Sequence, residues 1–125
     1  MYSAVVLDRS SRKLLLAKLE NVKAIPEGWE VIAHHMTITF GKPLPENLKS
    51  FDNKVVSLTA TDIGISDKAL AIKVSGFYSD NSTPHITIAV NRKGGGKPVD
   101  SNKISQWKAL PTGHFKLQGT VKELK

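Results

Sequence analysis

The spacing of apolar positions changes several times along the chain, and each change marks an element. Tyr2–Leu7 (YSAVVL) is nearly all apolar and rich in β-branched residues, which predicts a buried strand. RSSRKLLLAKLEN follows at 9–21, with Asp8 and Ser10 as N-cap candidates, and predicts a helix. IPEGW at 25–29 is a turn by its proline and glycine. Glu30–Phe40 predicts a second strand, which GKPLPEN ends, with a short helical turn over Glu46–Phe51. Lys54–Ser66 and Ala69–Phe77 alternate apolar and polar residues around a turn-like SDK, the pattern of a hairpin. Tyr78–Pro84 is a polar loop, His85–Val90 a strand, and NRKGGGKPVD a loop. Ser101 is expected to cap a short helix through Leu110. PTG then turns the chain, and His114–Leu124 alternates as a last strand. No linker divides these elements, so residues 1–125 form a single α+β domain.

Two stretches echo each other: AHHMTITF at 33–40 and PHITIAV at 84–90. Each is preceded by strand and helix signals, which suggests two similar lobes. In a strand, residues i and i+2 share a face. His35, Thr37 and Thr39 are therefore expected on one face, with Met36, Ile38 and Phe40 opposite. In the second stretch His85, Thr87 and Ala89 share a face, with Ile86, Ile88 and Val90 behind. One His-x-Thr is ordinary amphipathic patterning, because threonine favours strands. Two copies among four histidines, each followed by isoleucine, point to function.

Composition narrows that function. The chain has no cysteine, which excludes disulfides and thiolate metal sites and makes a cytoplasmic location the default. No apolar run is long enough to span a bilayer, and the start MYSAVVLDRS does not resemble a signal peptide. The net charge of +7 is uneven: residues 1–62 carry 8 Lys/Arg against 7 Asp/Glu, and residues 63–125 carry 10 against 4. A basic half-chain suits a polyanion such as RNA or a nucleotide, although a lysine-rich solubilising surface gives the same count.

If the two motif strands lie near each other, a cleft forms with two imidazoles and two hydroxyls, which suits acid–base cleavage of a phosphodiester. Histidine, with an ordinary pKa of about 6.5, takes or gives a proton near neutrality. The Thr37 and Thr87 hydroxyls would donate to non-bridging phosphate oxygens. His85 is read as the base and His35 as the acid. No His-x-x-x-His or Asp-x-His spacing supports a metal, and the scheme needs neither metal nor cofactor. His34 is expected to face away from His35, and His114 to lie on the surface. GGGK at 94–97 lacks the full phosphate-loop pattern and reads as a flexible loop, where Arg92, Lys93 and Lys97 are candidate backbone contacts. Among the aromatics, Trp29 and Trp107 read as core, and Tyr78 as a base-stacking candidate. Lys42 and Lys73 are further candidate phosphate contacts.

The pair His35-Met36-Thr37-Ile38 and His85-Ile86-Thr87-Ile88 resembles the duplicated signature of the two-histidine phosphoesterase superfamily. That family includes LigT-like RNA cyclic phosphodiesterases, phosphodiesterase domains of tRNA ligases, 2′-5′ oligonucleotide phosphodiesterases and phage enzymes that degrade cyclic nucleotide immune signals. The resemblance implies a bilobal α+β fold, with antiparallel sheets flanking a central cleft and short helices outside. It implies a metal-independent, cofactor-free, monomeric phosphodiesterase acting on an RNA-type linkage, foremost a 2′,3′-cyclic phosphate end. Linked or cyclic oligonucleotide messengers are the alternative substrate, and a non-catalytic RNA-binding module is the alternative class. The chain is shorter than many members, with 50 residues between the motifs, so loops that cover substrate in larger relatives are trimmed and the substrate stays open.

Overall fold

In the computed structural model, which describes residues 1–125, eight strands and one α-helix form a mixed α/β fold. The strands are β1 (Tyr2–Leu7), β2 (Glu30–Val31), β3 (His35–Phe40), β4 (Val55–Ile65), β5 (Ala69–Ser75), β6 (His85–Val90), β7 (Trp107–Ala109) and β8 (Phe115–Leu124); the helix α1 is Arg9–Asn21. Six strands run antiparallel in the order β6-β3-β1-β8-β4-β5, and β5 pairs back to β6, so the sheet closes into a barrel. Closure removes the open edges that would otherwise invite pairing with another chain. β2 extends the sheet beside β6, and β7 adds to β4. No helix is long and apolar enough to cross a membrane.

Each element follows from local chemistry. In α1, Ser11, Leu15 and Leu19 are buried at a spacing of four, the stripe of an amphipathic helix. Ser11 Oγ accepts from the Gln118 amide at 2.8 Å, which ties the helix to β8. Asp8 is the N-cap, but its carboxylate accepts from Thr120 Oγ1 at 3.2 Å instead of capping the helix. β4 and β5 form the expected hairpin, with Ser66 Oγ accepting from the Lys68 and Ala69 amides. A single apolar cluster fills the fold, built around Val5, Met36, Ile38, Leu58, Ile72, Ile86, Ile88 and Leu117.

The helix expected from Ser101 to Leu110 is absent. Pro98–Lys103 forms a short 3-10 helix, and Trp107–Ala109 is the strand β7. Pro98 suits a first helical turn, and the Asp100 carboxylate accepts from the Lys97 amide at 2.8 Å. The chain then leaves the helix so that Trp107 can lie against Gly64, where a Cβ would sit 2.9 Å from its ring. The glycine loop is folded back on itself by hydrogen bonds. Gly94 and Gly96 donate to the Asn91 carbonyl, Gly95 takes a left-handed φ of +82°, and Lys68 Nζ donates to the Gly94 carbonyl at 2.8 Å. These bonds fold it into a bend that carries the chain from β6 into the 98–103 turn.

Candidate active site

Both motif strands contain the same irregularity. On β3, Thr37 faces Ala4 of β1 while Thr39 faces the next residue along, Ser3, so Ile38 is an extra residue. On β6, Thr87 faces Ala71 and Ala89 faces Leu70, so Ile88 is an extra residue. These are β-bulges at equivalent places, directly after each threonine. A bulge shifts the register by one and moves the following side chains to the other face. The expected alternation therefore holds from His35 to Thr37 and from His85 to Thr87, then fails. Thr39 and Ala89 turn inward and are fully buried. Thr39 Oγ1 pairs with Ser3 Oγ and donates to the Lys42 carbonyl. Phe40, expected in the core, is 84% exposed and points into a cleft.

That cleft has a volume of about 310 Å³. His35, Thr37, His85 and Thr87 all line it, so the structure brings the four sequence-marked residues together. They meet because β3 and β6 are neighbours, paired at Met36↔Ile86. The remaining walls come from Tyr2 and Phe40 on one side, Pro98, Val99 and Asn102 of the 98–103 turn on another, and Asn81 of the loop before β6. The sequence did not mark these residues. Phe40 was hidden by the bulge, and the turn residues lie close only through the folded glycine bend.

His85 is only 9% exposed, and its Nδ1 donates to the Thr83 carbonyl at 2.8 Å, because a carbonyl can only accept. The Trp107 ring stands 6.3 Å from the His85 ring, so this tryptophan flanks the site and does not belong solely to the core. Thr87 Oγ1 lies 2.8 Å from the buried Ser101 hydroxyl. If Ser101 donates there, the Thr87 proton is left to the Pro98 carbonyl, a long contact at 3.4 Å, or to an acceptor bound in the cleft. On β3, the Tyr2 ring packs 5.4 Å from His35. Burial, then the neighbouring His34 and His85, push the His35 pKa down to about 4.

His34 does not face away from His35. Its Nδ1 lies 2.8 Å from the Nδ1 of His35, with the rings edge to face. The strand breaks over residues 32–34, and Ala33 adopts a left-handed φ of +45°, so the alternation restarts at His35. His114 is exposed, as expected.

The other expected contacts stand outside the cleft lining. Arg92 is paired with Glu30 at 3.1 Å. Lys42 reaches Asp80 at 3.6 Å, and Tyr78 Oη donates to the same carboxylate at 2.6 Å, which raises the Tyr78 pKa. Lys73 sits opposite His85 in the β5–β6 register but does not reach the lining. The basic residues of the second half thus leave the cleft itself to imidazoles, hydroxyls and amides.

No known family model matches the chain, and no curated protein matches it.

Proposed function

We propose that the protein is a metal-independent phosphodiesterase of the two-histidine type, acting on an RNA-type phosphodiester, with a 2′,3′-cyclic phosphate end as the leading substrate. The observation that carries this reading is the meeting of both His-x-Thr motifs in one cleft, each followed by a bulge at the same isoleucine. That shared irregularity is what a duplicated catalytic motif would leave, and it supports the two-lobed ancestry that the resemblance implies. A cytoplasmic location fits the cysteine-free chain.

The roles follow from the two environments. A histidine held neutral serves as the base, and burial together with the neighbouring His34 and His85 holds His35 neutral, which favours it. This reverses the direction expected from the sequence. His35 Nε2 takes a proton from the attacking water as its oxygen bonds to phosphorus. The bond from phosphorus to the ribose oxygen breaks, and protonated His85 gives its Nε2 proton to that oxygen. Thr37 and Thr87 donate to the non-bridging oxygens, where charge grows. The incoming phosphate anion itself raises the basicity of His35. Proton exchange with solvent then resets the pair. Phe40, Tyr2 and Val99 offer apolar surface for a base.

One observation favours a second substrate reading. A recess of about 230 Å³ lies on the other flank of His85, lined by Asn81, Ser82, Thr83, Ser101, Asn102 and Trp107 among others. Such a recess would hold a nucleotide beyond the scissile phosphate, as in a 2′-5′ or 3′-5′ linked oligonucleotide or a cyclic messenger. A panel of cyclic phosphates, linked oligonucleotides and cyclic dinucleotides, assayed in excess EDTA, tests both. Turnover is expected in chelator, and His35→Ala or His85→Ala should each lower it by about 10²–10⁴ fold. Binding of RNA without turnover of any substrate would instead favour a non-catalytic module.

A further inference from the structure

The two catalytic rings are held by different acceptors. For His85, the acceptor is the carbonyl two residues earlier, at Thr83. The equivalent carbonyl for His35 belongs to Ala33, but the left-handed turn directs it to Arg12, whose Nε donates to it at 3.0 Å. His35 therefore lacks the partner that His85 has. In that place stands the His34 ring, 2.8 Å away through Nδ1. The backbone around it is held from both sides. Ile32 and Ala33 donate to the Ile88 and Thr87 carbonyls, and the His34 carbonyl accepts from the Leu7 amide.

Only one proton fits between two imidazole nitrogens, so one ring donates and the other accepts. If His34 donates, the proton of neutral His35 sits on Nε2 and the cleft meets an N–H. If His35 donates, its Nε2 presents a lone pair. We propose that His34 is a positioning residue: it accepts the Nδ1 proton of His35 and so fixes the tautomer with a bare Nε2 toward the cleft. His34 is exposed, and an exposed neutral histidine favours the Nε2–H form, which leaves its Nδ1 free to accept. Both catalytic rings then share one arrangement, with Nδ1–H fixed to an acceptor and Nε2 in the cleft. The inference rests on the reading of His35 as the base. Tyr2 of β1 and His85 of β6 are the titratable groups beside His35, and Arg12 of α1 donates to the Ala33 and Ile32 carbonyls next to the pair.

Long-range proton–nitrogen NMR of histidine-labelled protein near neutral pH reads the His35 tautomer without any substrate. The Nδ1–H form is expected in the wild type, and a shift toward Nε2–H in His34→Ala. Kinetics supply the second readout. His34→Ala should lower kcat roughly 10–100 fold with little change in KM, as loss of a supporting partner does. His34→Asp places an acceptor at the same δ position. It should restore most of kcat and move the acid limb of kcat/KM upward, because a carboxylate raises the basicity of His35. His34→Lys can only donate and should stay as slow as alanine. A His35 Nε2–H tautomer in an active wild type would overturn the inference, as would equal rates and an unmoved acid limb across the three variants. A wild type inactive on every substrate would overturn the phosphodiesterase reading, and the base role with it, whatever the tautomer.

Discussion

At the scale of single residues, the proposed mechanism separates proton carriers from charge stabilisers. Thr37 and Thr87 are proposed to act through their hydroxyls alone. A well-aligned donor to growing charge is worth up to roughly 3–4 kcal/mol. Thr37→Ser and Thr87→Ser should therefore keep most of kcat, while Thr37→Val and Thr87→Val should lose much of it with melting temperature nearly unchanged. If the threonines matter only as β-branched strand residues, the ranking inverts: valine is harmless and serine is the poorer substitute. Ser101→Ala provides a check within the same network, since it removes the hydroxyl beside Thr87 Oγ1 without touching the motif. His35 makes a second prediction, for pH. Its pKa falls to about 4, so kcat/KM, which reports the free enzyme, should keep its acid limb well below the usual histidine range. Stability follows the same shift. The folded chain holds His35 neutral where the unfolded chain binds a proton, so stability is complete above about pH 6.5, declines as pH falls toward about 4, and levels off below that. The loss reaches about 3 kcal/mol and is absent in His35→Asn. Denaturation of both proteins from pH 7 to pH 4 measures the difference, and parallel curves would place His35 in water.

Elements were legible from the sequence where local spacing or a cap marked them. The hairpin of β4 and β5 and the last strand β8 follow from alternation, although the β4–β5 register shifts between Ala60 and Asp62, and α1 follows from the run RSSRKLLLAKLEN after Asp8. The site was legible as far as each motif threonine and no further. After the bulge, Thr39-Phe40 and Ala89-Val90 offer no change of pattern to signal that the faces have swapped, so Phe40 was assigned to the core. The 101–110 stretch misled because capping residues and a mixed pattern suit a helix, whereas Trp107 is held by a strand edge and by Gly64, far away in sequence. Lysine and arginine contacts were read from charge, and charge does not reveal which side of a barrel a residue occupies. Ala33 gives a test at this scale. A left-handed conformation costs an alanine roughly 1–2 kcal/mol, whereas glycine avoids that cost but gives up about 0.5–1 kcal/mol in unfolded-state entropy. Ala33→Gly should therefore be close to neutral in stability. Ala33→Val combines a β-branched side chain at φ +45° with a fully buried site, and should lose more than about 2 kcal/mol. Equal stability of the three proteins in urea would mean that the chain does not turn there.

For the whole molecule, the proposed function would depend on how the barrel closes. β5 pairs with β6 along much of their length, but β6 meets β3 through the single register pair Met36↔Ile86. This narrow seam is also where the two motifs face each other, so the contact that closes the barrel also sets the spacing of His35 and His85. Both seam side chains are fully buried. On the opposite wall of the barrel, Leu58 of β4 faces Leu117 of β8, equally buried and far along the strand order from the cleft. Met36→Ala and Leu58→Ala each remove a large buried side chain and should each cost about 2–5 kcal/mol. Their effects on activity should differ. Met36→Ala loosens the seam and lets the two histidines drift, and small misplacements of catalytic groups cost up to about 10² fold in rate. Leu58→Ala should leave kcat within about twofold when assayed well below its melting temperature, because a cavity on the far wall moves neither motif. Ile86→Ala should add less to Met36→Ala than its separate cost, since contacting residues are not independent. Two variants of matched stability with an equal fall in kcat would break the link between barrel closure and histidine spacing.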